Sequence, residues 1–88
     1  MRKYYVYFMT NKYNTVLYVG VTSNLQQRIL QHKNRVCNFT TRYNVTKIIY
    51  WEEFSDIRNA IEREKQIKSW SRKRKEQLIN EINPEWQD

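Results

Sequence analysis

Apolar and polar positions along the chain sort it into alternating structured and turn-like segments. Tyr4 to Met9 is an aromatic-rich run that predicts a strand. Asn11 to Asn14 supplies turn chemistry, and Val16 to Val21 predicts the returning strand. With the turn centred on Lys12 and Tyr13, Tyr7 falls opposite Tyr18, so two phenols share one face. A one-residue slip would send them to opposite faces. Ser23 and Gln26 form a capping box that opens a helix running to about Lys33. Residues 34–45 are polar and turn-like, and Lys47 to Glu52 predicts a third strand. Asp56 can cap a longer helix with apolar positions at Ile57, Ala60, Ile61 and Ile67. Ser71 opens a last helix carrying Leu78, Ile79 and Ile82, which Asn83 and Pro84 end. The expected fold class is α+β, a small three-stranded, antiparallel-containing sheet flanked by helices in the order ββαβαα, forming one domain over residues 1–88.

Three positions break this packing pattern, and such breaks often mark sites. Gly20, the only glycine, sits within a strand just before the turn into the first helix. It signals either a close backbone approach or a requirement of that turn. Glu64 falls on the apolar row 57, 60, 61, 64, 67, whereas Glu62 lies on the polar face within reach of Arg58. An inward carboxylate must be paired, protonated or bound to a cation. An internal salt bridge, with Arg28 as the candidate, and a metal ion both satisfy it, and a lone carboxylate suits Mg²⁺, which keeps most of its waters. Arg28 and His32, one helical turn apart, share a face of the first helix. A guanidinium fork matches phosphate oxygens, and an imidazole can exchange a proton near neutral pH.

Charge sharpens the picture. The 88 residues carry a net +7 and a sequence pI near 9.7. Arg63, Lys65, Lys68, Arg72, Lys73, Arg74 and Lys75 lie within one short run, and Lys33 ends the first helix. With aromatics at 15% of residues, such a surface fits nucleic acid, because phosphate neutralisation releases counterions and rings stack on bases. The same charges could instead form a solvated face that keeps a small protein soluble. Cys37 is the lone cysteine and His32 the lone histidine, which excludes an internal disulfide and a Cys/His zinc site. No apolar run is long enough to span a bilayer, and no signal-peptide pattern is present. The expected setting is the reducing cytoplasm, away from any membrane.

Tyr5-Val6-Tyr7 followed by Tyr18-Val19-Gly20 resembles the paired strand motifs of the GIY-YIG nuclease superfamily. Arg28 falls at the family's arginine position, His32 where it carries His or Tyr, and Ala60 with Glu64 resembles its metal-binding glutamate motif. The run from Ala60 to Arg72 and the closing Asn83-Pro84-Glu85-Trp86 are similar to the small stand-alone bacterial UPF0213 members. The resemblance implies an endonuclease that hydrolyses phosphodiesters, DNA being the expected substrate, with one Mg²⁺ or Mn²⁺ per site. Glu64 would hold the metal, Arg28 would clamp the non-bridging oxygens, Tyr7 or Tyr18 would orient or deprotonate water, and His32 would assist. Tyr5, Val6, Val19 and Gly20 would be structural. A phenol of ordinary pKa, about 10, is a poor base at neutral pH, so the role demands a cation beside it. The chain departs from the pattern at Tyr5, which replaces the first glycine, and at Val21, where a lysine sometimes stands. Asn80 and Asn83 both compete for the family's late asparagine. Two rivals follow: a module of the same fold that binds nucleic acid without cleaving it, and a protein-binding domain anchored by Tyr50, Trp70 and Trp86. Family nucleases commonly borrow specificity from an attached domain, so a separate targeting protein is a further expected partner.

Overall fold

The computed structural model describes residues 2–33 and 45–87. The elements are β1 (Tyr4–Asn11), β2 (Leu17–Thr22), α1 (Leu25–Lys33), β3 (Val45–Phe54), α2 (Ile57–Lys68) and α3 (Arg72–Ile82). The order is the ββαβαα of the sequence pattern, and the polar segment 34–44 lies outside the described residues. All three strands pair antiparallel in the order β2-β1-β3. β1 is central and buried from Val6 to Asn11, which is why it reads as a continuous apolar run rather than an alternating one. One face of the sheet carries Val6, Phe8 and Val19 and packs on Ala60 and Ile67 of α2 and Ile79 of α3. The other carries Tyr7 and Met9, against which Val45, Tyr18 and Leu25 of α1 pack.

The β1–β2 register differs from the expected one. Tyr7 pairs with Gly20 and Met9 with Tyr18, a displacement of two residues. The cause is a longer turn organised by Asn11. Its Oδ1 accepts from the backbone N–H of Thr15 at 2.8 Å and of Val16 at 3.3 Å, while Asn14 turns the chain at φ 57°. Because the slip is even, Tyr7 and Tyr18 still share a face.

Helix boundaries follow the capping chemistry. Asn24, not Ser23, caps α1: its Oδ1 accepts from the Gln27 N–H at 3.0 Å. Asp56 caps α2 through the Arg58 N–H at 2.9 Å and also takes the Arg58 guanidinium, which therefore serves Asp56 rather than Glu62. Ser71 caps α3. β3 runs past the predicted Glu52 to Phe54 because Glu53 and Phe54 pair with Tyr5 and Tyr4 of β1, while Arg63 neutralises Glu52. The buried rows of the helices are narrower than periodicity predicts. Ile57 and Ile61 are each 37% exposed and Ile82 is 71% exposed. Ala60, with no exposure, lets α2 approach the sheet closely, so only Ala60 and Ile67 are fully covered.

Polar brackets close the structure. Arg63 grips Glu52 with two N–H groups at 2.9 and 3.0 Å, and Glu52 also accepts from the Tyr50 hydroxyl. Burial disfavours the charge on Glu52, but the Arg63 and Tyr50 hydrogen bonds outweigh it and hold its carboxyl below the usual range. Burial and the neighbouring carboxylate push the Tyr50 hydroxyl well above its ordinary pKa. Arg72 donates to the backbone carbonyls of Thr15 at 2.7 Å and Asn14 at 2.9 Å, pinning the β1–β2 turn to α3. The Asn83 side chain donates to Ile49 O and accepts from Gln87 N–H. Asn80 accepts the Trp86 indole at 2.7 Å, which seats Trp86 in the core.

Two outcomes follow from these brackets. Arg72→Ala should lower the melting temperature by an amount equivalent to about 1 kcal/mol, because two turn carbonyls lose charged donors. Lys73→Ala, one residue on, should leave it unchanged. A parallel thermal denaturation series checks both. The lowered Glu52 pKa contributes stability that is fully present above the ordinary value of 4.5 and disappears as pH falls through the depressed folded value. The melting temperature of the parent should thus fall more steeply below that pH than that of Glu52→Gln, as a pH series of thermal scans would read.

Candidate active site

Three strand residues make the first half of the site. Tyr7 and Gly20 are direct cross-strand partners, and Tyr18 lies one diagonal step along β2. The two phenol rings stand 6.2 Å apart at 47°. Tyr7 is 1% exposed and its ring end lies against Gly20. A Cβ on Gly20 would stand 2.5 Å from Tyr7 Oη, 2.7 Å from Tyr7 Cζ and 3.1 Å from Tyr18 Cε1. Gly20 has no positive φ, so glycine is needed here for space and not for its backbone freedom or for the turn. Tyr18 is only half-buried, making it the phenol of the pair that solvent reaches.

Arg28 comes from α1, whose first turn places Leu25 on the Tyr7 cluster. It is half-buried and makes no ion pair among the described residues. His32 and Lys33 occupy the last turn of α1, and their side chains lie outside the described residues.

Glu64 supplies the second half from another layer. It lies on the sheet-facing row of α2 between Ala60 and Ile67, with its side chain 17% exposed, while Glu62 is exposed. Its cation is Lys68, at 3.6 Å, and not Arg28. α2 packs on the face opposite Tyr7, lying over β1 and the edge strand β2. The helix that carries Glu64 thus packs on the sheet face opposite the tyrosines. Among the described residues no three His, Cys, Asp or Glu side chains gather as a closed metal cage. A single half-buried carboxylate with one loose, exposed lysine contact does fit a hard, water-retaining cation such as Mg²⁺ or Mn²⁺.

The basic run is not a uniform cationic face. Arg63 serves Glu52, Lys68 serves Glu64, Arg72 serves the hairpin turn and Glu76, and Arg74 lies 4.6 Å over the Trp70 ring. Lys65, Lys73 and Lys75 have no partner among the described residues. The aromatic anchors expected of a protein-binding domain are likewise occupied. Tyr50 is 7% and Trp86 8% exposed, and the Trp70 ring carries the guanidinium groups of Arg63 at 5.2 Å and Arg74 at 4.6 Å. Val6 and Val19 are core, and Tyr5 meets Trp51 edge-on at 5.9 Å. Trp51 itself went unmarked by sequence reasoning. Its position in the alternation of the third strand, on the Tyr7 face, was the available signal.

The model of the GIY-YIG catalytic domain family matches residues 3–77. This chain belongs to the GIY-YIG family. It is similar to small UPF0213 proteins. That of Staphylococcus haemolyticus is 37% identical over 92% of this chain and 99% of its own length. That of Clostridium perfringens is 39% identical over 86% of this chain and 82% of its own. The solution NMR structure of a UPF0213 protein from Bacillus halodurans superposes with a TM-score of 0.62 at 25% identity, covering 96% of this chain and 89% of that one. The GIY-YIG layout accounts for the strand pair, although Tyr5 stands at its first glycine. Among the described residues no helix is long and apolar enough to cross a membrane.

The Gly20 contact has a measurable consequence. Gly20→Ala should destabilise the domain by about 1–3 kcal/mol, the scale of overpacking a tight contact. Tyr7→Leu in the same chain should recover part of that loss, so a double-mutant cycle by denaturant unfolding should return a coupling of opposite sign to the single cost.

Proposed function

We propose that this GIY-YIG domain is a metal-dependent nuclease that hydrolyses phosphodiester bonds, with DNA as substrate. The observation that carries the reading is the Tyr7–Gly20–Tyr18 contact, in which a glycine is kept so that two phenols crowd one point on an edge strand. The scissile phosphate binds beside β2, where the layer holding the tyrosines and the layer holding Glu64 border the same strand. Tyr18, the more accessible phenol, orients the attacking water by accepting a hydrogen bond from it. Tyr7, buried behind it, fixes the position of Tyr18. Arg28, with no ion pair among the described residues, directs its guanidinium fork at the non-bridging oxygens and opposes the charge that builds there. His32, one turn further on α1, adds a hydrogen bond to the phosphate or water. Glu64 holds Mg²⁺ or Mn²⁺, which when bound stabilises the leaving oxygen and the charge of the transition state. Lys33, Lys65, Lys73 and Lys75 attract the phosphate backbone in a salt-dependent, sequence-independent way, with Lys68 and Arg74 at the margin of that surface. A separate targeting protein, acting in the same cytoplasmic setting, would direct the domain to its substrate.

A cleavage screen of supercoiled, nicked, flapped and single-stranded DNA, with and without Mg²⁺, tests the reading. Arg28→Ala should lower single-turnover cleavage by roughly two to three orders of magnitude, the scale for one transition-state donor, with DNA affinity and melting temperature little changed. Glu64→Gln should remove the dependence on Mg²⁺ together with the cleavage. Salt-dependent binding with no cleavage of any substrate would establish instead a binding module that cleaves nothing.

A further inference from the structure

Trp51 lies in mid-strand yet is 53% exposed. It stands on β3 directly opposite Tyr7, which in turn faces Gly20, so Trp51, Tyr7 and Gly20 form one rung across the three strands. Two strand spacings, about 10 Å, separate its backbone from that of Gly20. Tyr5 meets the indole at 77° with centroids 5.9 Å apart, and this contact fixes the orientation of the exposed ring. The ring borders a recess of about 370 Å³ whose other walls are Tyr5, Ser23, Asn24, Leu25 and Gln26. That volume lies within the range of small-molecule sites.

The lining is chemically mixed in a particular way. Leu25 and the two rings are flat or apolar, whereas Ser23, Asn24 and Gln26 offer a hydroxyl and two amides. Asn24 spends its Oδ1 on capping α1, and its amide nitrogen makes no bond among the described residues. A second recess adjoins the first through Tyr5, Ser23 and Asn24 and is bordered by Arg2 and Lys3. Lys3 is tied to Glu53 at 2.9 Å, while Arg2 is exposed and without a partner among the described residues. An exposed ring, amide groups beside it and a cation at the next recess match the three parts of a nucleotide: base face, base edge and phosphate.

We propose that Trp51 is a stacking platform for one unpaired nucleobase, with Ser23, Asn24 and Gln26 bonding its edge and Arg2 meeting a neighbouring phosphate. The proposal rests on the nucleic-acid reading above and deepens it. A base paired inside a duplex hides both faces, so the substrate class is nucleic acid with an unpaired nucleotide next to the bond presented at β2.

The test is fluorescence anisotropy without divalent cations, so that no strand is cut. The probes are a short labelled oligodeoxythymidylate and an abasic strand of equal length. Wild-type protein should bind the thymidylate more tightly than the abasic strand. Trp51→Ala should weaken thymidylate binding roughly 5- to 150-fold, the equivalent of one base–aromatic stack, and leave abasic binding unchanged. Trp51→Phe should retain most of the affinity, which separates stacking from a loss of fold. Equal thymidylate binding by wild type and Trp51→Ala would overturn the proposal and return the ring to contact with a protein or a second copy of this chain. An equal loss on both strands would overturn it too, because the ring would then act on the backbone or on the fold. If wild type binds neither strand, the nucleic-acid reading falls and the platform with it.

Discussion

The domain is arranged around a phenol laid against a glycine. Tyr7 belongs to the central strand, and its ring end takes the space that a side chain on Gly20 would fill. That contact ties β1 to β2 at one register, since only Gly20 among the β2 residues can face Tyr7 without a clash. It also leaves Tyr18, the next same-face residue on β2, as the partly open neighbour of a buried ring. Close packing of this kind accepts few substitutions, because protein interiors have little free volume to absorb a methyl group. The local stability of the strand pair and the placement of the candidate chemistry therefore share one cause.

Charge is divided between holding the fold and facing outward. A chain with net +7 could present all its cations to a polyanion, yet much of the 63–75 run is spent internally. Arg63 closes Glu52, and Arg72 brackets the hairpin turn. Arginine takes these places because a planar fork satisfies a carboxylate or two carbonyls at once, which a lysine cannot do. Among the described residues the run's unpaired cations are lysines, whose single flexible charges suit loose phosphate contacts. Exposed pairs such as Lys3 with Glu53 add little stability by themselves, because water and salt screen them.

Edge strands are usually blunted against pairing with other chains. Here both edges border candidate chemistry. β2 carries Gly20 and Tyr18 between two layers of helices, and β3 carries Trp51. A central strand buried on both faces thus supports open edges on either side, with rigid backbone beneath each.

Local rules in the sequence determined the element order, the α+β class, the caps at Asp56 and Ser71, and the inward row of Glu64, because strand alternation, helical period and capping act over a few residues. They also determined that Tyr7 and Tyr18 share a face, since an even slip preserves it. The slip itself was a tertiary outcome, set when the Asn11 side chain bound Thr15 and Val16 and lengthened the turn. Tertiary packing alone decided that Ile57 and Ile61 stay exposed, because Ala60 brings α2 too close to the sheet for a wider stripe to be covered. Helical period offers Lys68 to Glu64 four residues away, but tertiary packing alone kept Arg28 from it, by placing α1 and α2 on opposite faces. It alone revealed why Gly20 is a glycine. The distance from Gly20 to the end of the Tyr7 ring is a property of two strands in register, and no spacing along one chain encodes it.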